Sequence, residues 1–183
     1  MKTILICNQK GGVGKTLIAD ELAFAFERDN ISFNFYDLDE QGSSIHSTFE
    51  SKDAKVQIVD TAGALQEKLP KWIEASDFVI VPTMMSNRDM MPLQRMIEIL
   101  SDFDKPTLFV FNRWNRYNMA RDFKAWFESS YPELSTCCIN DTTMFVKSGI
   151  QGKSIVEIAP NNSGSKQILE IYEKICEELN LKK

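Results

Sequence analysis

A glycine-rich loop near the amino terminus constrains this chain more than any other feature. Residues 10–16 read Lys-Gly-Gly-Val-Gly-Lys-Thr and follow the apolar run Ile4–Cys7. Glycines permit positive φ, so successive backbone N–H groups can converge on an anion. Lys15 would contact the β- and γ-phosphates of a nucleotide, and the Thr16 hydroxyl would bind Mg²⁺. Because residues 17–28 favour a helix whose amino terminus faces the same phosphates, the order of strand, loop and helix predicts a nucleotide-binding P-loop.

Strand and helix patterns alternate along the rest of the chain. Strands are predicted near Thr3–Asn8, Ser32–Asp37, Val56–Asp60, Phe78–Pro82, Thr107–Asn112 and Ser135–Ile139. Helical spacing of apolar residues lies between them and in a last helix near 164–181. This alternation predicts an α/β fold with a mostly parallel sheet covered by helices on both faces, and ligands at the carboxyl ends of the strands. At 183 residues, positions 1–183 are expected to form a single P-loop domain.

Two carboxylates stand where predicted strands end. Asp39 lies in the segment Asp-Leu-Asp-Glu-Gln-Gly at 37–42, and Asp60 ends the strand that begins at Val56. An aspartate at the end of a hydrophobic strand suits a Walker B role, in which Asp60 would hold Mg²⁺ through water. Gly63 follows closely and is expected to offer its N–H to the γ-phosphate. Taken alone, Asp39 is better interpreted as a turn residue or the cap of a helix near Ser43, and the P-loop is what favours a catalytic role.

The loop resembles the deviant P-loop of the ParA/MinD family of ATPases. Gln9 stands where the general P-loop pattern has glycine, as in the ParA branch, and Lys10 adds a second lysine. In that family the extra lysine reaches the partner's nucleotide across a dimer, so the resemblance implies that Lys10 couples ATP to dimerisation. Asp39 matches the second aspartate of the family's D-x-D-P-Q-G switch, which orients the attacking water.

The resemblance implies three groups of site residues. The predicted catalytic residues are Lys10, Lys15 and Asp39. The predicted nucleotide-binding residues are Gly11, Gly12, Val13, Gly14, Lys15, Thr16, Leu17, Gly63, Asn112 and Pro160. The predicted metal-binding residues are Thr16, Asp39 and Asp60. The implied cofactors are ATP and Mg²⁺.

The choice of ATP rests on the strand that ends near Asn112. The segment 111–115 reads Phe-Asn-Arg-Trp-Asn and lacks the aspartate of a guanine-reading N-K-x-D motif. Asn112 resembles the adenine-contacting position of ParA relatives, and Pro160 lies in a loop that resembles the one packed near their adenine. The GTPase interpretation, which Gly63 raises, is therefore less favoured.

Several positions depart from the family pattern. Leu17 stands where the family usually has a second hydroxyl residue after the threonine that binds Mg²⁺. This change removes one hydrogen bond to the nucleotide, which would contribute about 1 kcal/mol to binding. Glu40 stands where the family usually has proline, and Ala62-Gly63 where two prolines often occur. We expect nucleotide binding to be weakened but to survive these changes.

The net charge of −5 excludes a chain that binds nucleic acid through its overall charge. Local basic residues are found in the second half: Arg113, Arg116, Arg121, Lys147, Lys153 and Lys166. The resemblance implies that such residues bind DNA without sequence preference in the ATP dimer. Each of them could equally be an ordinary solvated surface charge.

The four cysteines indicate structural thiols in a reducing compartment. Cys7 and Cys176 lie in apolar patterns, and Cys137-Cys138 are adjacent, a poor geometry for a metal clamp or an ordinary disulfide. Their spacing argues against the iron–sulfur relatives of the family. With no signal peptide and no apolar run of about 20 residues, a cytoplasmic location is expected, with nucleoid association when ATP is bound. The single histidine, His46, is expected on a helix surface with no role.

The leading hypothesis is an ATP-dependent dimerisation switch with slow ATP hydrolysis that acts in DNA partition, such as that of a plasmid. The implied partners are a second copy of the chain, non-specific DNA and a centromere-binding protein of the ParB type. One alternative is a MinD-like positioning ATPase at a membrane, but the segment 175–183 carries acidic residues in its middle, so no stable membrane association is expected. An ATP-dependent enzyme acting on small molecules remains another alternative.

Overall fold

The computed structural model describes residues 1–39, 44–61, 63 and 68–181. Within them, the strands are β1 (Lys2–Ile6), β2 (Phe33–Asp37), β3 (Val56–Asp60), β4 (Phe78–Thr83), β5 (Thr107–Trp114) and β6 (Ser135–Asn140). The helices are α1 (Lys15–Arg28), α2 (Leu69–Ala75), α3 (Asn87–Ser101), α4 (Asn118–Ser130), α5 (Met144–Gln151), α6 (Ile155–Ile158) and α7 (Ser163–Glu178). No helix among these is both long enough and apolar enough to cross a membrane.

The strands form one parallel sheet in the order β2-β3-β1-β4-β5-β6. The central strands β1, β4 and β5 contain buried apolar runs at residues 4–6, 78–81 and 108–111, because helices cover both faces of the sheet. On one face α1 and α7 pack over the sheet, and on the other α2, α3 and α4 do so. All carboxyl ends therefore lie at one edge, where β1 leads into the glycine-rich loop and Ile6 pairs with Asp60.

The structure confirms the predicted α/β class and the parallel sheet covered on both faces. The strand predicted at Val56–Asp60 has the same bounds in the structure, and most other strand ends differ by one or two residues. The largest extension is in β5, which continues to Trp114 through a register shift against β6. At this shift Arg113 adopts a φ of 54°, a local irregularity that strand periodicity does not reveal.

The expectation for His46 was wrong. His46 lies in an irregular segment and not on a helix, and its side chain is only 9% exposed. Its ring packs against Phe24 and Phe35, with centroids 4.4 and 5.5 Å away. A carboxylate on α1 draws the ring inward, a contact described below that the local sequence does not predict.

The cysteines Cys7, Cys137 and Cys176 are buried free thiols, as expected. Burial raises the pKa of Cys7 to about 12 and that of Cys137 to about 11. These thiols therefore stay protonated and unreactive at neutral pH.

Candidate nucleotide-binding site

The loop between β1 and α1 has the backbone geometry of an anion cradle. Gly12 and Gly14 have φ values of 72° and 98°, which side chains other than glycine rarely adopt. Gly14 caps α1, and its carbonyl accepts a hydrogen bond from the Ile18 N–H at 3.2 Å. The following residues, Lys15 and Thr16, therefore begin a helix whose positive end faces the carboxyl edge of the sheet.

Lys15 is buried within this cradle, with 6% of the residue exposed. Its ammonium donates a hydrogen bond to the Lys10 carbonyl at 3.2 Å. Burial lowers the pKa of Lys15, and the nearby carboxylates of Asp60 and Asp39 partly oppose this shift. An anion placed between the loop N–H groups and this ammonium would be bound from two sides.

Asp60, at the end of β3, is fully buried. Neither carboxylate oxygen has a hydrogen-bond partner of normal geometry among the described residues. Burial raises the pKa of Asp60 to about 7, although the Thr16 hydroxyl beside it and the Lys15 ammonium lower the pKa, while Asp37 raises it further. A buried polar group without partners is costly and calls for an explanation.

The residues around Asp60 fit Mg²⁺. A carboxylate and a threonine hydroxyl face each other, and the hard oxygen donors that Mg²⁺ prefers would otherwise come from phosphates and water. The described part of the chain holds no cluster of three or more histidine, cysteine or acidic side chains of the kind that binds a metal unaided. A site with one carboxylate and one hydroxyl suits a cation that arrives with a nucleotide.

Asp39 lies at the same edge of the sheet. Its N–H donates to the Asp37 carboxylate at 2.9 Å, and the Leu38 N–H donates to the Asp60 carbonyl at 2.9 Å. The Leu38 bond ties the end of β2 to the end of β3, and the Asp39 bond is local to its own segment. Asp39 lies close enough to Lys15 to raise the pKa of that lysine. Glu40 lies outside the described residues, as does Ala62.

Lys10 forms an ion pair with Asp89 of its own chain. The Lys10 side chain is 34% exposed, whereas that of Asp89 is 2% exposed. Asp89 also accepts hydrogen bonds from the Ser86 N–H, at 3.1 Å, and from the Ser86 hydroxyl, so it caps α3. The sequence analysis missed Asp89, although the Ser-x-x-Asp capping pattern at 86–89 was a visible signal.

Asn112 and Gly63 both contact the loop. The Asn112 side chain is buried, with its Nδ2 donating to the Val13 carbonyl at 2.9 Å and its Oδ1 accepting from the Arg113 N–H at 2.9 Å. A Cβ on Gly63 would lie 3.2 Å from the Gln9 carbonyl oxygen, so the absence of a side chain allows this close approach. The end of β5 and the segment after β3 therefore both contact the glycine-rich loop.

The remaining predicted residues lie outside this cluster. Leu17 is half-buried on α1, and Pro160 is exposed after α6. The six basic residues are all exposed: Arg113, Arg116, Arg121, Lys147, Lys153 and Lys166. Lys153 pairs with Glu157, whereas the three arginines form no ion pair with a described carboxylate. A cavity of about 470 Å³ beside Lys10 and Asp89 is lined in part by Arg113, Tyr117 and Met119.

The sequence analysis also missed two adjacent buried carboxylates on α1. Asp20 accepts hydrogen bonds from the segment 44–46, and Glu21 accepts them from the Ser154 hydroxyl, at 2.6 Å, and the Ile155 N–H, at 2.9 Å. Burial raises the pKa of Glu21, an effect that these hydrogen bonds oppose. The sequence feature that could have indicated them is the pair of acidic residues between the apolar residues Ile18-Ala19 and Leu22-Ala23 of α1.

Comparison with known proteins agrees with this geometry. Residues 4–156 match the family model described as the CobQ/CobB/MinD/ParA nucleotide binding domain. The comparison with curated proteins found no match.

Solved structures with the same fold include proteins of several kinds. Apo McdA of Cyanothece is 16% identical, with a TM-score of 0.78 over 95% of this chain and 98% of that one. MinD of Aquifex aeolicus is 14% identical, with a TM-score of 0.78 over 96% of each chain. A plasmid partition protein from Borrelia burgdorferi is 15% identical, with a TM-score of 0.68 over 97% of this chain and 98% of that one. At these identities the likeness establishes the fold.

Proposed function

Since the chain belongs to the family of CobQ/CobB/MinD/ParA nucleotide-binding domains, whose members are P-loop NTPases, we propose that it is an ATP-dependent dimerisation switch with slow ATP hydrolysis that acts in DNA partition. One observation carries the nucleotide part of this proposal. The unpartnered carboxylate of Asp60 faces Thr16 at the mouth of a glycine cradle that contains the buried Lys15. A phosphate-bound cation would supply the partner that the Asp60 carboxylate lacks.

In the proposed mechanism, the N–H groups of residues 11–16 and the Lys15 ammonium bind the phosphates and stabilise their developing charge. Mg²⁺, bound with the nucleotide at Thr16 and Asp60, would supply further charge neutralisation. The Asp39 carboxylate orients the attacking water. Phosphoryl transfer requires little beyond positioning and charge stabilisation, so these groups suffice for turnover.

Lys10 provides the link to dimerisation. In the structure its ammonium is paired with Asp89, and its side chain is the more exposed member of that pair. Contact with a partner's phosphates would give the Lys10 ammonium a new anion, while Asp89 would keep its hydrogen bonds from the Ser86 N–H and hydroxyl. A stabilising cation that arrives only from the partner subunit explains why hydrolysis would be slow in the monomer.

The exposed arginines support the DNA part of the proposal. Arg113, Arg116 and Arg121 lie at the end of β5 and the start of α4 without described carboxylate partners, and arginine is well suited to phosphate contacts. A centromere-binding protein of the ParB type would stimulate hydrolysis and release the dimer. We further propose that residues 1–183 act as one domain in the cytoplasm, associated with the nucleoid when ATP is bound.

The alternative of a MinD-like membrane ATPase has less support. The apolar face of α7 packs onto the sheet, with Ile175 at 0% exposure and Leu179, which follows the helix, at 6%, so this face is not available to a membrane surface. The cavity beside Lys10 is the observation that favours the other alternative, an ATP-dependent enzyme that acts on a small molecule.

Sedimentation of the Asp39→Ala variant tests the proposal. The variant is incubated with Mg-ATP or Mg-ADP, with and without a random DNA duplex at low salt. We expect a dimer only with ATP, and co-sedimentation of that dimer with DNA. A monomer in ATP would contradict the switch. A dimer that does not bind DNA would contradict the proposed role in DNA partition. Lipid vesicles and small-molecule substrates would then be tested in place of DNA.

A second lysine gives a matched control for Lys10. In the Asp39→Ala background, Lys10→Ala should abolish the ATP dimer while retaining measurable nucleotide binding. Lys2→Ala removes another lysine paired with an aspartate, Asp77 at 2.9 Å, at the opposite edge of the sheet, and should leave the dimer intact. An unchanged dimer in Lys10→Ala would refute the role in trans.

A further inference from the structure

Asp20 on α1 holds a segment of the chain that is distant in sequence. Its carboxylate accepts four hydrogen bonds: Oδ1 from the Ser44 hydroxyl at 2.9 Å, the His46 N–H at 3.0 Å and His46 Nδ1 at 2.8 Å, and Oδ2 from the Ile45 N–H at 2.9 Å. The residue is 5% exposed. A buried charge with this many partners is a specific anchor and not a solvated surface group.

The anchor lies one helical turn beyond Thr16. Four residues of helix span about 6 Å along the axis, so Asp20 belongs to the same rigid turns that begin with the phosphate-binding loop. Any movement of residues 44–46 relative to the loop would have to break the bonds to this carboxylate.

The held segment belongs to the connection that also contains Asp39. The upstream end of that connection is fixed by the Asp39 N–H on the Asp37 carboxylate and by the Leu38 N–H on the Asp60 carbonyl. The downstream end is fixed at Ser44–His46 by Asp20. Asp39 and Ser44, the described residues on either side of this connection, are therefore each held close to an element of the nucleotide site.

His46 strengthens the downstream attachment. Its ring is nearly buried between Phe24 and Phe35, and its Nε2 lies 3.5 Å from a carboxylate oxygen of Glu27. The contact with Asp20 is thus made by a side chain whose position is restricted by packing on α1 and β2.

We propose that Asp20 is a positioning residue for ATP hydrolysis, which holds Ser44–His46 on α1 and so keeps Asp39 at a constant distance from the phosphates. This role rests on the proposed ATPase function. Asp20 does not touch the phosphates itself, so its loss should broaden the positions of Asp39 and lower kcat while leaving nucleotide affinity nearly unchanged. A displacement of about 1 Å can cost up to about 100-fold in rate.

The neighbouring residue, Glu21, provides a matched control. It is also a buried carboxylate on α1, but its hydrogen bonds go to Ser154 and Ile155 at the start of α6, away from the Asp39 segment. Asp20→Asn and Glu21→Gln each replace one carboxylate oxygen with an amide nitrogen that cannot accept a hydrogen bond. Both variants should lose stability, but only Asp20→Asn should lose turnover.

The experiment measures kcat for ATP, Kd for Mg-ADP and amide hydrogen exchange in the wild type and in these two variants. For Asp20→Asn we expect a loss of about 10-fold or more in kcat, a Kd within about threefold of the wild type and faster exchange at the amides of Ile45 and His46. Ser44→Ala, which removes one bond from the other side and leaves α1 intact, should show a smaller change in the same direction.

Three outcomes would count against the proposal. An unchanged kcat in Asp20→Asn, with faster exchange at 45 and 46, would overturn the positioning role alone. An equal loss of kcat in Glu21→Gln would assign the effect to general loosening of α1. Wild-type protein that binds nucleotide but does not turn over ATP would overturn the proposed function and this role with it.

Discussion

At the scale of single residues, Asp60 best shows how a functional group conflicts with stability. It is fully buried, has no hydrogen-bond partner of normal geometry among the described residues, and has a pKa raised by burial to about 7. The fold therefore retains a charge that destabilises the protein without ligand. We attribute this to the use of the carboxylate as a ligand for a nucleotide-bound cation, a role that no neutral side chain would fill as well.

Asp60 predicts an unusual pH dependence of stability. Because the pKa in the folded state lies above the ordinary value of 3.8, the folded protein binds more protons than the unfolded chain between pH 3.8 and about 7. The contribution of Asp60 to the free energy of unfolding should therefore fall as the pH rises through this window, by at most about 1.4 kcal/mol per pH unit. Without nucleotide or Mg²⁺, Asp60→Asn should remove this decline and be more stable than the wild type at pH 8.

Urea unfolding at pH 5 and pH 8 checks this prediction. Asp77→Asn is the control, because the pKa of Asp77 is shifted in the opposite direction. Burial raises this pKa, but the hydrogen bonds from Lys2 and the Thr3 N–H outweigh burial and hold it below its ordinary value. Its replacement should cost stability at pH 8, modestly because the ion pair is largely exposed. Mg-ATP should stabilise the wild type more than Asp60→Asn, and an Asp60→Asn protein less stable than the wild type at pH 8 would refute the account.

At the scale of elements, β5 braces the loop between β1 and α1. The end of β5 places Asn112 against the Val13 carbonyl, and the Asn112 Nδ2 occupies the space that a Cβ on Gly14 would need, 2.1 Å away. The loop thus needs glycine at position 14 for two reasons, its φ of 98° and this contact.

Asn112→Ala separates bracing from base recognition. Since both polar atoms of the Asn112 amide are already bonded within the protein, we expect the variant to weaken binding of ATP and GTP by a similar factor, about fivefold for one lost hydrogen bond. Titration of both nucleotides measures this. Asn34→Ala removes another buried asparagine, bonded to the Ser51 N–H away from the site, and should not change either affinity. A loss confined to ATP would instead support the adenine contact that the family resemblance implies.

At the scale of the whole molecule, the exposed cations are expected to act together. The chain carries a net charge of −5, so DNA binding would depend on a local surface and on the presence of two copies. We propose Arg113, Arg116 and Arg121 as this surface, since all three are exposed and Arg113 lines the cavity that contains Lys10.

A triple alanine variant of these arginines tests the surface. In the Asp39→Ala background with Mg-ATP, the triple variant should dimerise normally but bind DNA more weakly. The slope of log K against log salt concentration should become shallower by about 0.9 for each lost phosphate contact. DNA binding is measured by fluorescence anisotropy across a salt series. Lys124→Ala, which removes a lysine of α4 already paired with Glu128, should leave DNA binding unchanged. Retained binding with the same salt slope in the triple variant would exclude this surface.

The sequence by itself determined the class of fold and the centre of the candidate site. Apolar runs followed by helical spacing predict a parallel sheet, and the requirement for glycine in a phosphate-binding loop is local, so residues 10–16 could be interpreted without any tertiary contact. The position of Asp60 is equally local, because a parallel strand that ends in a carboxylate places it at the carboxyl edge of the sheet. Asp39 lies two residues beyond its strand, and the role predicted for it depends on the family resemblance.

Only the tertiary structure decided which partners these groups have. Lys10 pairs with Asp89, Asp20 with the segment at His46, and Asn112 with Val13, across 79, 26 and 99 positions of sequence. Such contacts depend on the strand order and on how α1 and α3 pack, neither of which is encoded in local spacing. The unsatisfied state of Asp60 has the same origin, since burial is a property of the assembled sheet and not of the segment that carries the residue.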